Sequence, residues 1–212
     1  MSGRRVTVLG PLMMALIVTG AACGGNDGAA GRDAGPTGDS APAGPTTSTT
    51  EVRMVTADDI PVAHTPPGFW TTFPGPVLAT CTEPLAAGAP DLRGLWRVTE
   101  AERGGAPVPE AIGIVQRIEQ CGDRIVITAK GIVHDMRADG TEANGVHDVA
   151  ERSGAPIVVV ATYENGWHVL RPVGVPGVEV RRRRDGDQLV WDYAGLATRS
   201  ERIGGPSDPA PA

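Results

Sequence analysis

Lysine is nearly missing from this 212-residue chain: Lys130 stands alone against eighteen arginines. Aromatic residues are scarce, at 4%, and only three cysteines occur, Cys23, Cys81 and Cys121. The net charge is −6, and more negative still without Arg4 and Arg5. The chain therefore lacks the positive field that nucleic-acid binding uses, which argues against that partner. No apolar run approaches the roughly 18 residues of a bilayer-spanning helix; Val6 to Thr19 stops short. From residue 92 onward no apolar pattern keeps helical spacing beyond a turn or two. A nucleophile elbow, a P-loop and a paired-cysteine zinc motif are all missing. An enzyme built from this chain would have to assemble its groups through the fold alone.

What is present begins with a leader. Arg4 and Arg5 precede the apolar stretch Val6 to Thr19, the pattern of a cleaved secretory signal. The stretch ends in Gly20-Ala21-Ala22-Cys23, which resembles a bacterial lipobox. In that motif the leader is cut just before a cysteine whose sulfur carries a diacylglyceryl group. The resemblance implies a signal peptide over 1–22, lipidation at Cys23 and an extracytoplasmic protein anchored to the membrane by lipid. The alternative is ordinary cleavage after Ala22, leaving a free thiol. Arginine in place of lysine, with abundant Ala, Gly and Pro, fits the coding bias of a GC-rich bacterium. With Cys23 lipidated, Cys81 and Cys121 form an even pair in an oxidising compartment, and a disulfide is expected. Otherwise both are small buried hydrophobes.

Residues 23–50 are Gly, Ala, Pro, Asp, Ser and Thr with almost nothing to bury, so a disordered linker is expected. Residues 51–91 read as an irregular arm. They include "HTPPGFWTTFPGP", whose Phe69, Trp70 and Phe73 are expected to pack onto the domain, with Cys81 pinning the arm. From Leu92 short runs alternate with turn residues. Strands are expected at 92–99, 111–119, 124–129, 131–137, 145–150, 156–163, 166–171, 177–184, 187–193 and 196–203, with 205–212 a disordered tail. Turns this short make neighbours antiparallel, and eight to ten strands leave exposed edges unless the sheet closes. The expected fold is all-β, an antiparallel up-and-down barrel over 92–204.

"RGLWRV" carries Gly94-Leu95-Trp96, which resembles the Gly-x-Trp opening the first strand of lipocalins, and "RIEQCGDRIVI" resembles the next hairpin of small bacterial lipocalin-like domains. The resemblance implies a barrel in which Trp96 packs across the closed end beneath an arginine from the last strand, Arg199 or Arg202. A core tryptophan in some other β-sandwich is the alternative.

Candidates for chemistry are few. "GIVHDM" and "GVHDVA" flank a turn, and a hairpin centred on Gly140-Thr141 would set His134 opposite His147. Two imidazoles fall short of the three protein ligands of a catalytic metal, so no metal or cofactor is expected. Arg181 to Arg184 alternate faces in a strand and make no single basic surface. Three polar residues fall on apolar faces: Gln116 after Ile114, Arg171 after Trp167 and Val169, and Arg182 after Val178 and Val180. An inward arginine needs an anion. Gln116, Arg171 and Arg182 are therefore candidates to bind a small amphiphile with an acidic head, unless each arginine is a rim residue paired with Glu179 or Asp192. Three function classes remain: a tethered carrier of a small hydrophobic or amphiphilic ligand, a tethered interaction module for another envelope component, and an enzyme without a motif.

Overall fold

Four hairpins turn through consecutive residues of positive φ, Gly104-Gly105, Lys130-Gly131, Asn165-Gly166 and Ala194-Gly195. That geometry matches the right-handed twist of the flanking strands and leaves them antiparallel. The computed structural model describes residues 53–68, 70–150 and 156–211, without the side chains of 148–150, 156 and 157. The leader, the linker, Cys23 and Phe69 lie outside the described residues. The strands are β1 (Gly94–Arg103), β2 (Ala106–Pro107), β3 (Val115–Cys121), β4 (Arg124–Ala129), β5 (Ile132–Arg137), β6 (Val146–Ala150), β7 (Pro156–Glu164), β8 (Trp167–Pro172), β9 (Val180–Asp185), β10 (Gln188–Tyr193) and β11 (Leu196–Gly204). The described helical structure is two 3₁₀ turns, Ala57–Asp59 and Pro109–Ala111. The second takes up Ala111 and is capped by Ile112, both expected in a strand, because Pro109 opens a turn and β3 starts only at Val115.

The sheet runs β5-β4-β3-β1-β11-β10-β9-β8-β7-β6, every described pair antiparallel, with β2 attached to β1. The last strand returns to the first, which curls the meander into a nearly closed barrel. A seam remains between β5 and β6. It is tied at one end, where Arg137 N–H donates to the Asn144 carbonyl and Gly140 N–H to the Ala161 carbonyl, both at 2.9 Å. Along the rest of the seam no ladder pairing joins β5 to β6 among the described residues.

One end of the barrel holds the turns after β3, β7 and β9, and Trp96 fills it. The indole is fully buried and donates to the Leu92 carbonyl at 2.8 Å. Gly94 must be glycine: a Cβ there would fall 2.9 Å from Arg202 Nε and 3.2 Å from Trp96 Nε1. Trp96 shares a buried core with Ile118, Ile125, Ile127, Met136, Leu170 and Leu189. Fully burying one such side chain contributes about 1.5–3 kcal/mol. Towards the opposite end, Gln116, Ile132, Val180, Trp191, Tyr193 and Leu196 are only half-buried. The barrel is thus tightly packed at its floor and more exposed to solvent towards its mouth.

The arm clads the outside of β3, β4 and β5. Cys81 and Cys121 form a disulfide with Cα atoms 6.0 Å apart. Around it Ala57, Leu78, Val126 and Val133 make a second core, with Trp70 packed against it. Most of the polar groups trapped beneath find partners, although Trp70 Nε1 and Arg117 Nε have none among the described residues. Arg124 and Asp135 pair at 2.6 Å, both almost wholly buried. Arg124 also donates to the carbonyls of Ala57, Ile60 and Pro61, and Asp135 accepts from Ala63 N–H. Glu119 accepts from Val77 and Leu78 N–H, while burial pushes its pKa up. Arg117 reaches the Pro74 carbonyl and the Asp208 carbonyl. The tail is therefore not free as far as Asp208. Gly205 N–H donates to the Asp208 carboxylate, and the turn so formed lies on Arg117.

Candidate functional site

The two-residue turn Asn165-Gly166 decides which side chains enter the barrel. It pairs Glu164 with Trp167 and Tyr163 with His168. Leu170 and Ala161, paired next along these strands, belong to the inner core, so His168 and Tyr163 face inward too. This reverses the expectation for β8, whose Trp167, Val169 and Arg171 lie on the outer wall. Trp167 there is sandwiched between guanidinium groups, Arg181 at 4.4 Å and Arg183 at 4.9 Å from the ring centroid.

Arg171 is accordingly removed from the ligand set. Its guanidinium bonds Glu164 and Glu179 on the outer surface. The partnership holds the Glu164 carboxyl down to about 2. Gln116 does face inward, in register with Trp96 and Ala129. Arg182 faces inward as well, and its setting differs from that of every outer arginine. It is 9% exposed, and its Nε and Nη1 have no hydrogen-bond partner among the described residues.

Register places Arg182 within a polar belt. Tyr163 on β7, His168 on β8, Arg182 on β9, Trp191 on β10 and Thr198 on β11 are successive cross-strand partners on the inner wall. Strand tilt makes the belt climb from the floor to the mouth. At its lower end the Tyr163 hydroxyl accepts from Gln120, which also holds Leu92 N–H and the Pro90 carbonyl. Burial pushes the Tyr163 phenol up to about 12. His168 is fully buried, and neither ring nitrogen has a hydrogen-bond partner among the described residues. Burial, reinforced by the Arg182 charge, brings its pKa down to about 3, so the imidazole is neutral. Burial lowers Arg182 to about 10, and it stays protonated at neutral pH. Trp191 Nε1 and Ser200 Oγ are also buried without partners. Unpaired buried donors of this kind carry a free-energy penalty that an anion would remove.

The sequence reading found Arg182 and missed His168, Trp191 and Ser200. Carrying the alternation of β7 across the Asn165-Gly166 turn would have found His168.

The arginine over the floor tryptophan is Arg184, its Cζ 5.8 Å from the Trp96 ring. Arg199 sits on the outer wall, bonded to Asp185 and Gln188. Arg202 is the register partner of Trp96, but it is exposed and donates to the Gly204 carbonyl. His134 and His147 are not a cross-strand pair, because the β5–β6 connection opens into a wide loop. His134 pairs with Ile127 on β4, whereas His147 is exposed and hydrogen-bonds the Glu142 carbonyl. Among the described residues the one cluster with metal-ligating spacing is Cys81, Glu83 and Cys121, and its sulfurs are joined in the disulfide.

Two hollows flank the barrel. One of about 440 Å³ follows the seam, lined by Ile60, Ala63 and His64 of the arm and by Met136, Val146 and His147. The other, about 380 Å³, lies at the rim beside Gly177, Glu179 and Ala194.

No protein-family model matches the chain, and no curated protein does. Among solved structures, human cRBP IV aligns with a TM-score of 0.43 at 15% identity, over 53% of this chain and 98% of that one. Zebrafish ileal bile acid-binding protein complexed with cholic acid aligns with a TM-score of 0.40 at 17% identity, over the same shares.

Proposed function

We propose that the chain is a binding protein that takes a small amphiphile into the mouth of its barrel, with Arg182 as the counter-charge for an acidic head. The observation carrying this reading is a protonated guanidinium inside the wall whose Nε and Nη1 have no acceptor. Every outer arginine of β8 and β9 is paired with a carboxylate. The inner one has no carboxylate among the described residues, only the Trp191 ring 5.9 Å from its Cζ, and a buried charge so placed is costly unless a ligand completes it. The half-buried apolar groups above it, Val180, Tyr193 and Leu196, suit a hydrocarbon tail.

The same proposal includes a place of work. Lipid at Cys23 would hold the protein on the outer side of the membrane, a reading supported by the lipobox-like Gly20-Ala21-Ala22-Cys23 and by the Cys81–Cys121 disulfide, which suits an oxidising compartment.

Native mass spectrometry of protein purified from its own envelope, with solvent extraction of the bound material, tests the carrier function. An organic acid should be released, and hexadecanoate should protect the stripped protein against thermal unfolding while protecting Arg182→Met much less. A bare mass together with no protection would leave an interaction module as the better reading.

A further inference from the structure

The belt beside Arg182 is rich in donors and has one obligatory acceptor. Arg182 offers Nε and Nη1 and its cross-strand partner Trp191 offers Nε1, all buried and without hydrogen-bond partners among the described residues. His168 differs in kind. A neutral imidazole carries one N–H and one bare nitrogen, and the bare nitrogen can only accept. His168 and Arg182 are register partners on adjacent strands, yet neither Arg182 Nε nor Nη1 is bonded to the imidazole. Tyr163, on the other side of His168, stands with its ring centroid 5.8 Å away, and its hydroxyl is engaged with Gln120.

A simple carboxylate only accepts hydrogen bonds. It would satisfy Arg182 and Trp191 and leave the bare nitrogen of His168 buried and unmet. A head that also carries a donor satisfies both sides of the belt. We propose that the ligand is an acid bearing a hydroxyl or amide N–H next to its carboxylate, a 2-hydroxy acid or an N-acyl amino acid, and that His168 selects it by accepting from that donor. This inference rests on the binding function proposed above and deepens it. A site built to hydrogen-bond a ligand hydroxyl discriminates strongly against the analogue lacking it, because its own polar group is then left unpaired.

The test is calorimetric titration of the full mature protein, stripped of bound lipid, with hexadecanoate and with 2-hydroxyhexadecanoate. The hydroxy acid should bind at least tenfold more tightly. In His168→Leu the preference should vanish, with hexadecanoate bound as well as before or better. Arg182→Met should weaken both acids together. Equal affinities in the wild type would overturn the role of His168 while leaving the carrier intact. Binding of neither acid would remove the carrier function and this inference with it. The wild-type ratio decides the question even if the His168 variant fails to fold, and circular dichroism of each variant reports whether it has.

Discussion

Arg184, from β9, covers the floor tryptophan Trp96, its Cζ 5.8 Å from the ring, and Nη2 of the same guanidinium donates to the Gly186 carbonyl. The ring is thus covered by an arginine from across the barrel, while Arg202 of the last strand lies beside Gly94 at the same end. Trp96→Ala should cost about 3–5 kcal/mol through lost burial and the cavity left behind. In double-mutant cycles followed by urea unfolding, Arg184→Ala should couple to Trp96, and Arg199→Ala should be additive with it. Coupling to Arg199 with none to Arg184 would contradict the observed cap.

The arm is held by a cross-link and by one buried ion pair. The disulfide closes a separation of 40 residues, worth about 4 kcal/mol in the chain-entropy description. Cys81→Ser with Cys121→Ser should lower the urea midpoint accordingly. Asp135→Asn should also destabilise, by about 3–5 kcal/mol, because Arg124 then keeps a buried charge without its counter-ion. Replacing both members of the pair with apolar residues should cost less than replacing Asp135 alone, and the reverse order would show that the pair does more than compensate its own burial.

His168 sets an acid limit. Its folded pKa is about 3, below the ordinary 6.5, because the ring is buried and Arg182 lies beside it. Between those values the unfolded chain takes up a proton that the folded chain refuses. The corresponding stability is fully present above about pH 6.5 and is lost as pH falls towards 3, by up to about 1.4 kcal/mol per pH unit. Urea unfolding of wild type and His168→Leu at pH 7.5 and 4.5 measures this. The difference between them should shift towards the variant by about 3 kcal/mol at the lower pH. Parallel profiles would mean that the imidazole takes up its proton in the folded state.

The tether is checked by detergent phase partitioning of the chain expressed with its leader. Wild type should enter the detergent-rich phase and Cys23→Ser should remain in the aqueous phase, since the acyl chains supply the membrane affinity. Equal partitioning would remove lipidation from the account.

The strand order was largely legible because turns punctuate it: Asn165-Gly166 and Gly186-Asp187 fix hairpins whose strands lie within about three residues of the expected bounds. The faces were harder to read. In β3 and β4 both faces are buried, one by the core and one by the arm, so Arg117, Glu119 and Arg124 look like solvent-facing residues in the sequence and are covered in the fold. In β8 the apolar Trp167 and Val169 suggested an inward face, whereas the arginines of β9 bury Trp167 from outside. Arg182 was legible as an arginine among valines. Its partners in the belt were not, because cross-strand register brings together residues far apart in the chain, and a histidine such as His168 carries no local mark of burial.

The seam between β5 and β6 makes the barrel a slit tube with a fixed heel. At the floor end the slit is stitched by Arg137 with Asn144 and Gly140 with Ala161, and above that no ladder hydrogen bond crosses it among the described residues. The mouth can therefore change its circumference without breaking a strand pairing, in the manner of a split collar. On the β5 side, the arm and its disulfide stiffen the neighbouring wall. Adjustment to a ligand's girth then falls to β6 and β7, so amide exchange should slow there first when the cup is filled.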